Sequence, residues 1–330
     1  MDQHTVFILF VLLVAFLFDF INGFHDAANS IATIVATRVL SPRQAVLWAA
    51  FFNFIAFLIF NLMVAKTIGS GLIDTSLINP PFILAALLGA IFWNLVTWYY
   101  GIPSSSSHAL IGGLAGAAVA KSGFAALNLM GFLKVGAGIV LSPLIGLLIG
   151  LVFSHLINKL QARFGRQGLN NYFKGLQLIS SALLSLTHGG NDAQKTMGII
   201  AVLLFSVAWI EGPFHIPFWV VVSCHAVISL GTLLGGWRIV NTMGKKITAL
   251  NPMKGCAAET GAAFTIFLAT ELGIPVSTTH TVTGAITGSG LMSGVKRVHW
   301  KVLKRIFLSW LLTIPAAALV SAAIILTSSH

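Results

Sequence analysis

Apolar runs of about 20 residues, each closed by a short polar stretch, recur along the whole chain. Twelve segments read as helices. In the first half they fall at roughly 5–22, 26–38, 43–66, 81–100, 104–121 and 132–158, and in the second at roughly 172–188, 192–210, 216–236, 256–272, 276–293 and 302–327. A helix needs about 20 apolar residues to cross a bilayer, and the runs lack the alternation of a membrane barrel strand. The expected fold is therefore all-α and polytopic. Segment 26–38 is short and opens on polar residues, as a half-helix or re-entrant piece does.

The pattern repeats between the halves. Tyr100-Gly101-Ile102-Pro103-Ser104-Ser105-Ser106-Ser107-His108 returns as Leu272-Gly273-Ile274-Pro275-Val276-Ser277-Thr278-Thr279-His280, and Gly112 and Gly116 match Gly284 and Gly288 at the same offset of 172. Upstream, Gly23-Phe24-His25-Asp26-Ala27-Ala28-Asn29-Ser30 echoes Gly189-Gly190-Asn191-Asp192-Ala193-Gln194-Lys195-Thr196. Two motifs repeated in one order imply a duplicated unit: residues 1–158, a basic linker at 159–171, and residues 172–330.

Composition narrows the class. The 330 residues are 57% hydrophobic and only 8% charged, with a mean hydropathy of +0.92. A soluble domain carries roughly 25% charged residues, so soluble enzymes and nucleic-acid-binding domains are excluded. The net charge of +11 does not point to nucleic acid, because the basic residues crowd into short loops, as cytoplasmic loops of membrane proteins do. Cys224 and Cys256 have neither disulfide-framework nor metal spacing. The run Thr5 to Ile21 lacks a preceding basic residue and passes into a polar motif, so it reads as a span and not a signal peptide.

Loop charge then sets orientation. Lys159, Arg163, Arg166 and Lys174, then Arg238, Lys245, Lys246 and Lys254, then Lys296, Arg297, Lys301, Lys304 and Arg305 all belong in the cytoplasm, as do Arg38 and Arg43. Three helical segments separate the first two loops, so one of them, beside His188-Gly189-Gly190-Asn191-Asp192, should fail to cross. Each half then crosses five times and the second repeat is inverted, an arrangement found in secondary transporters. Both termini are expected outside the cytoplasm, in a plasma-membrane protein.

The chemistry follows from what is polar inside the apolar runs. Of eight carboxylates, Asp19, Asp26, Asp192, Glu259 and Glu271 lie in or at the ends of such runs. A charge at mid-bilayer costs about 2.5–3.5 kcal/mol on insertion scales, so it normally faces a cavity or a partner. Asp26 and Asp192 sit at equivalent places, beside glycines and amides that read as helix breaks. They suit a substrate or coupling-ion site, or a cap on an interrupted helix. Asp19 precedes the first motif by about a turn, and Glu271 sits where an interfacial residue would. In both Gly-Ile-Pro-x-Ser segments, proline presets the first helical turn. Ser104, Ser105, Ser106 and Ser107, with Ser277, Thr278 and Thr279, then place hydroxyls beside free backbone N–H groups, a setting for a small tetrahedral oxyanion. Capping alone is the plainer reading, with the repeated glycines allowing close helix packing. His108 and His280 follow one residue later and suit anion donation, proton transfer or a bond to a neighbouring helix. His155, His299 and His330 sit near segment ends.

These four motifs together resemble the PiT family of inorganic phosphate transporters, over nearly the whole chain. The resemblance implies a phosphate symporter of two inverted repeats around a central anion site, with re-entrant hairpins, acting as a homodimer in the lipid bilayer. It implies phosphate between the two hairpin loops, at Ser104 to Ser107 and Ser277 to Thr279. It implies a coupling ion or proton at Asp26, Asn29, Asn191, Asp192, Lys195 and Glu259, and gating or relay roles for His25, His108, His188 and His280. One departure stands out. Sodium-coupled members end both acidic motifs in Asn, whereas here Asn29 is matched by Lys195. In this the chain looks like the bacterial proton-coupled Pit branch, which moves phosphate as a neutral complex with a divalent cation such as magnesium or calcium. No cofactor and no enzymatic activity are expected, and a cytoplasmic phosphate-regulatory accessory protein is a candidate partner. The alternatives are sulfate permease, sodium-coupled phosphate symport, a passive channel, and a membrane-embedded hydrolase. The hydrolase lacks both a Gly-x-Ser-x-Gly elbow and a His-Glu-x-x-His zinc signature.

Overall fold

A computed structural model describes residues 2–164 and 166–328. The two chain ends, His330 among them, and Gly165 in the middle of the expected 159–171 linker lie outside the described residues. The fold is all-helical. The first half comprises α1 (Gln3–Ala36), α2 (Pro42–Ile55), α3 (Met63–Ser70), α4 (Pro80–Tyr100), α5 (Ser106–Ser122) and α6 (Leu129–Phe164). The second comprises α7 (Arg166–Ser206), α8 (Phe218–Leu234), α9 (Trp237–Asn241, continued by a π-helical turn at Thr242–Lys246), α10 (Pro252–Glu271), α11 (Thr278–Leu291) and α12 (Trp300–Ser328). The expected linker is thus helical on both sides of Gly165.

Two expected breaks do not occur. Segments 5–22 and 26–38 are one continuous helix, α1, and segments 172–188 and 192–210 are likewise one helix, α7. Glycine and asparagine weaken a helix by up to about 1 kcal/mol each, but here they are needed for packing. A Cβ on Gly23 would run into the Ile228 carbonyl of α8, and one on Gly189 would lie 2.6 Å from the Asn53 carbonyl of α2. The motifs are therefore close-contact points on long helices. Two helices, α7 and α8, thus lie between the basic stretches 159–174 and 238–254, where three segments were expected. The real bends lie elsewhere: 82° between Pro42–Leu58 and Met63–Ser70, and 64° between Phe218–Leu234 and Trp237–Lys246.

Among the described residues, α1, α4, α6 and α12 are long and apolar enough to cross a membrane, and six spans result if each bent pair is one. Large apolar side chains such as Leu13, Leu144, Leu148 and Leu319 cover the outside, the surface a lipid environment requires. Helices α5 and α11 have 17 and 14 residues, about 26 and 21 Å at 1.5 Å per residue, short of the ~30 Å hydrocarbon core. Each is reached from its preceding long helix through a left-handed glycine, Gly101 (φ 64°) or Gly273 (φ 66°), followed by proline. The last helix of each half packs on the short helix of the other, α6 on α11 and α12 on α5. The repeated glycines carry this contact: a Cβ on Gly112 would sit 2.6 Å from the Ile314 carbonyl. The two short helices are thereby clamped with their N-termini beside the middles of α1 and α7.

Candidate functional site

Ser105 and Ser277 are the N-caps of α5 and α11, each accepting from the backbone N–H three residues on, His108 or His280, at 3.2 Å. Capping spends those two hydroxyls and leaves the next two on each helix facing inward. The N–H groups of Ser106, Ser107, Thr278 and Thr279 lie in first turns, where no intrahelical acceptor exists.

The inward hydroxyls meet the two acidic motifs. Ser106 Oγ donates to Asp26 Oδ2 at 2.9 Å, and Asp26 Oδ1 lies 2.6 Å from His25 Nδ1. The far side of that ring, Nε2, is 2.9 Å from Thr97 Oγ1, which fixes its position. Thr278 Oγ1 donates to Asp192 Oδ2 at 3.2 Å, while Asn29 Nδ2 donates to Thr278 and Thr279 at 3.0 Å each. Each half thus supplies hydroxyls to a carboxylate.

Lys195 joins the two hairpins. Its ammonium is 2.5 Å from Asp192 Oδ1, donates to the Val276 carbonyl at 3.1 Å, and donates to Ser107 Oγ. It is 1% exposed, among the largest fully buried side chains of the protein. A buried ammonium is tolerable only when paired and fully hydrogen-bonded, and here all three donors are used. His188 Nε2 lies 3.3 Å from Asp192 Oδ2, poorly aimed for a hydrogen bond, and its Nδ1 is 3.2 Å from Asn53 Oδ1. Asp26, His188 and Asp192 can each bring one ligand atom within 4.8 Å of the others, a set able to hold a metal ion. The residues of this network are 0–3% exposed, so the site is closed from both sides.

Not every expected residue joins it. Ser104 turns away to Thr313, 2.8 Å between hydroxyls, and Asn191 donates to Thr270 at 2.8 Å. His108 and His280 face each other with ring centres 4.5 Å apart, and His280 stacks on Trp310 at 3.7 Å. Glu259 stands in a separate polar cluster, accepting from Thr33 (2.6 Å), Gln177 (2.8 Å) and Ser180 (2.5 Å). The Val276 carbonyl lies inside the second Gly-Ile-Pro motif, but a backbone acceptor leaves no mark in a sequence; Asn53, Thr97, Gln177 and Ser180 lie outside every motif. Only their polarity inside apolar segments could have pointed to them.

Chemically, the centre offers two hydroxyl-lined helix N-termini for an oxyanion and two carboxylates against one fixed ammonium. The model of the "Phosphate transporter family" matches twice, over residues 22–171 and 162–321. A relative from Rhizobium meliloti (strain 1021), named "Probable low-affinity inorganic phosphate transporter", is 58% identical over 98% of this chain and 97% of its own. One of the same name from Bacillus subtilis (strain 168) is 44% identical over 98% and 97%. A solved structure called "The sodium-dependent phosphate transporter" has a TM-score of 0.88 at 28% identity, covering 98% of this chain and 99% of that one. Matched in both halves and related almost end to end, the chain belongs to the phosphate transporter family.

Proposed function

We propose that the protein imports inorganic phosphate together with a divalent cation, driven by protons, through alternating access to the central site. The observation that carries this reading is the Lys195 ammonium held between Asp192 and Ser107. A fixed positive charge beside Asp192 supports coupling that needs no alkali ion at that place.

Charge then favours a metal complex. Two aspartates and one lysine leave a single negative charge, and a bare phosphate dianion would raise it to three. A divalent cation on Asp26, His188 and Asp192 removes two of these charges, and one co-transported proton cancels the last. The carboxylates and phosphate oxygens suit magnesium or calcium, and the imidazole extends the set to zinc-like ions. Phosphate takes the free N–H groups and hydroxyls of the two helix N-termini. Opening to one side or the other requires the hairpins to part around Lys195. The clustered basic residues support an orientation with the 159–174 and 238–254 stretches on the cytoplasmic side of a plasma membrane.

The test is double-label uptake in proteoliposomes, with phosphate and magnesium followed together. Equal entry of both, abolished by chelator and in Asp192→Asn, is expected. Phosphate entry indifferent to the chelator would refute the metal–phosphate reading. One observation supports a second reading, partial sodium coupling: Asn29 Oδ1, three residues from Asp26, is buried with no hydrogen-bond partner among the described residues. Sodium-stimulated uptake lost in Asn29→Ala would favour it.

A further inference from the structure

Helix α1 carries Asp19, Asp26 and Thr33 at intervals of seven residues, close to two full turns. They line one stripe of the helix at steps of about 10.5 Å. Helix α7 packs along that stripe and meets it with a polar partner directly at the first two steps and through Glu259 of α10 at the third. Asp19 Oδ1 accepts from Thr196 Oγ1 at 2.8 Å, Asp26 faces Asp192 and His188, and Thr33 donates to Glu259 where Gln177 and Ser180 converge. Three carboxyl stations therefore follow one another along the α1–α7 seam. From Asp19 to Thr33 the seam is about 21 Å long, most of a ~30 Å hydrocarbon core.

The outer stations differ. Both Glu259 oxygens have donors. Asp19 Oδ2 has no partner among the described residues, and neither does either side-chain amide atom of Asn22, one turn further along. Asp19, Asn22 and Thr196 are 0–1% exposed. No Lys, Arg or His of the described residues is within ion-pair distance of Asp19. The titratable groups that share its surroundings are Asp192, one turn from Thr196 on α7, and Cys224 of α8. A bare charge at such a place is expensive. An amide serves both forms of an acid, since its carbonyl accepts from the protonated carboxyl and its N–H donates to the ionised one.

We infer that Asp19, with Asn22 and Thr196, is a proton-binding station of the coupling path, on the opposite side of the phosphate site from Glu259. It takes up a proton from one side and passes it along the seam toward Asp26. This rests on the proton-symport reading above, and the experiment separates the two.

Asp19→Asn is isosteric with the neutral acid, so the fold should be kept. In proteoliposomes the variant is compared with wild type by phosphate exchange at equal pH on both sides, by accumulation under an inward proton gradient, and by proton entry read with a trapped pH indicator. Exchange within twofold of wild type, accumulation at least tenfold lower, and loss of phosphate-linked proton entry are expected, with partial recovery in Asp19→Glu. A variant that accumulates phosphate as wild type does overturns the assignment. So does one that loses exchange and accumulation in parallel, which marks a structural residue. If wild type itself accumulates phosphate without a proton gradient, proton symport fails and the station falls with it.

Discussion

Replacing Lys195 by asparagine restores the residue that the first repeat has at Asn29, and the structure sets what it should do. The ammonium lies 2.5 Å from Asp192 Oδ1 and 3.1 Å from the Val276 carbonyl, at 1% exposure. Removing one partner of a buried ion pair costs about 3–5 kcal/mol, because the other charge stays buried. Three kcal/mol is about a 100-fold change in any equilibrium that needs Asp192 ionised. The shorter side chain leaves room beside Asp192 for a cation, and sodium at 100 times its Kd would return about 2.7 kcal/mol. Two assays follow. Detergent-solubilised Lys195→Asn should melt several degrees below wild type in choline chloride and recover in sodium chloride, while wild type melts alike in both. In proteoliposomes its proton-driven uptake should fall about 100-fold and become sodium-stimulated. A variant that melts as wild type does in both salts and keeps full proton-driven uptake would refute the role given to Lys195.

Three further outcomes are expected. Ser106→Ala with Ser107→Ala, or Thr278→Ala with Thr279→Ala, should weaken half-saturation for phosphate tenfold or more, since each lost bond to a charged group is worth about 1.5–3 kcal/mol; unchanged uptake kinetics in both pairs would remove the helix N-termini from the site. Gly112→Val should abolish recovery of folded protein, because even a Cβ would lie 2.6 Å from the Ile314 carbonyl; normal yield and melting would contradict the α5–α12 contact. Single cysteines at Lys174 and Lys245 should react with impermeant reagents only from the cytoplasmic side, and labelling from opposite sides would break the charge-based topology.

Much of this arrangement was legible in the sequence because the chemistry is polar and the background is not. The proline-led hydroxyl runs announced two helix starts, and their repetition announced that they belong together. Direction was not legible. Nothing local distinguishes Ser104, which turns to Thr313, from Ser106, which turns to Asp26. Local propensity marks Gly23 and Gly189 as breaks, yet they serve neighbours far away in sequence. Conversely, the bend after Leu58 contains no glycine or proline. It is held by Gln194 Nε2 donating to the Asn61 carbonyl at 2.7 Å and by Asn61 Nδ2 donating to Glu271 at 2.8 Å. Those bonds exist only once α7 and α10 are in place.

The most direct test of the account is uptake of labelled phosphate by reconstituted wild-type protein, with magnesium present and the gradients set independently. Uptake should follow an inward proton gradient, collapse with a protonophore, and be unchanged when choline replaces sodium. Uptake that requires sodium and survives the protonophore would contradict the reading of the buried lysine on which the coupling argument stands.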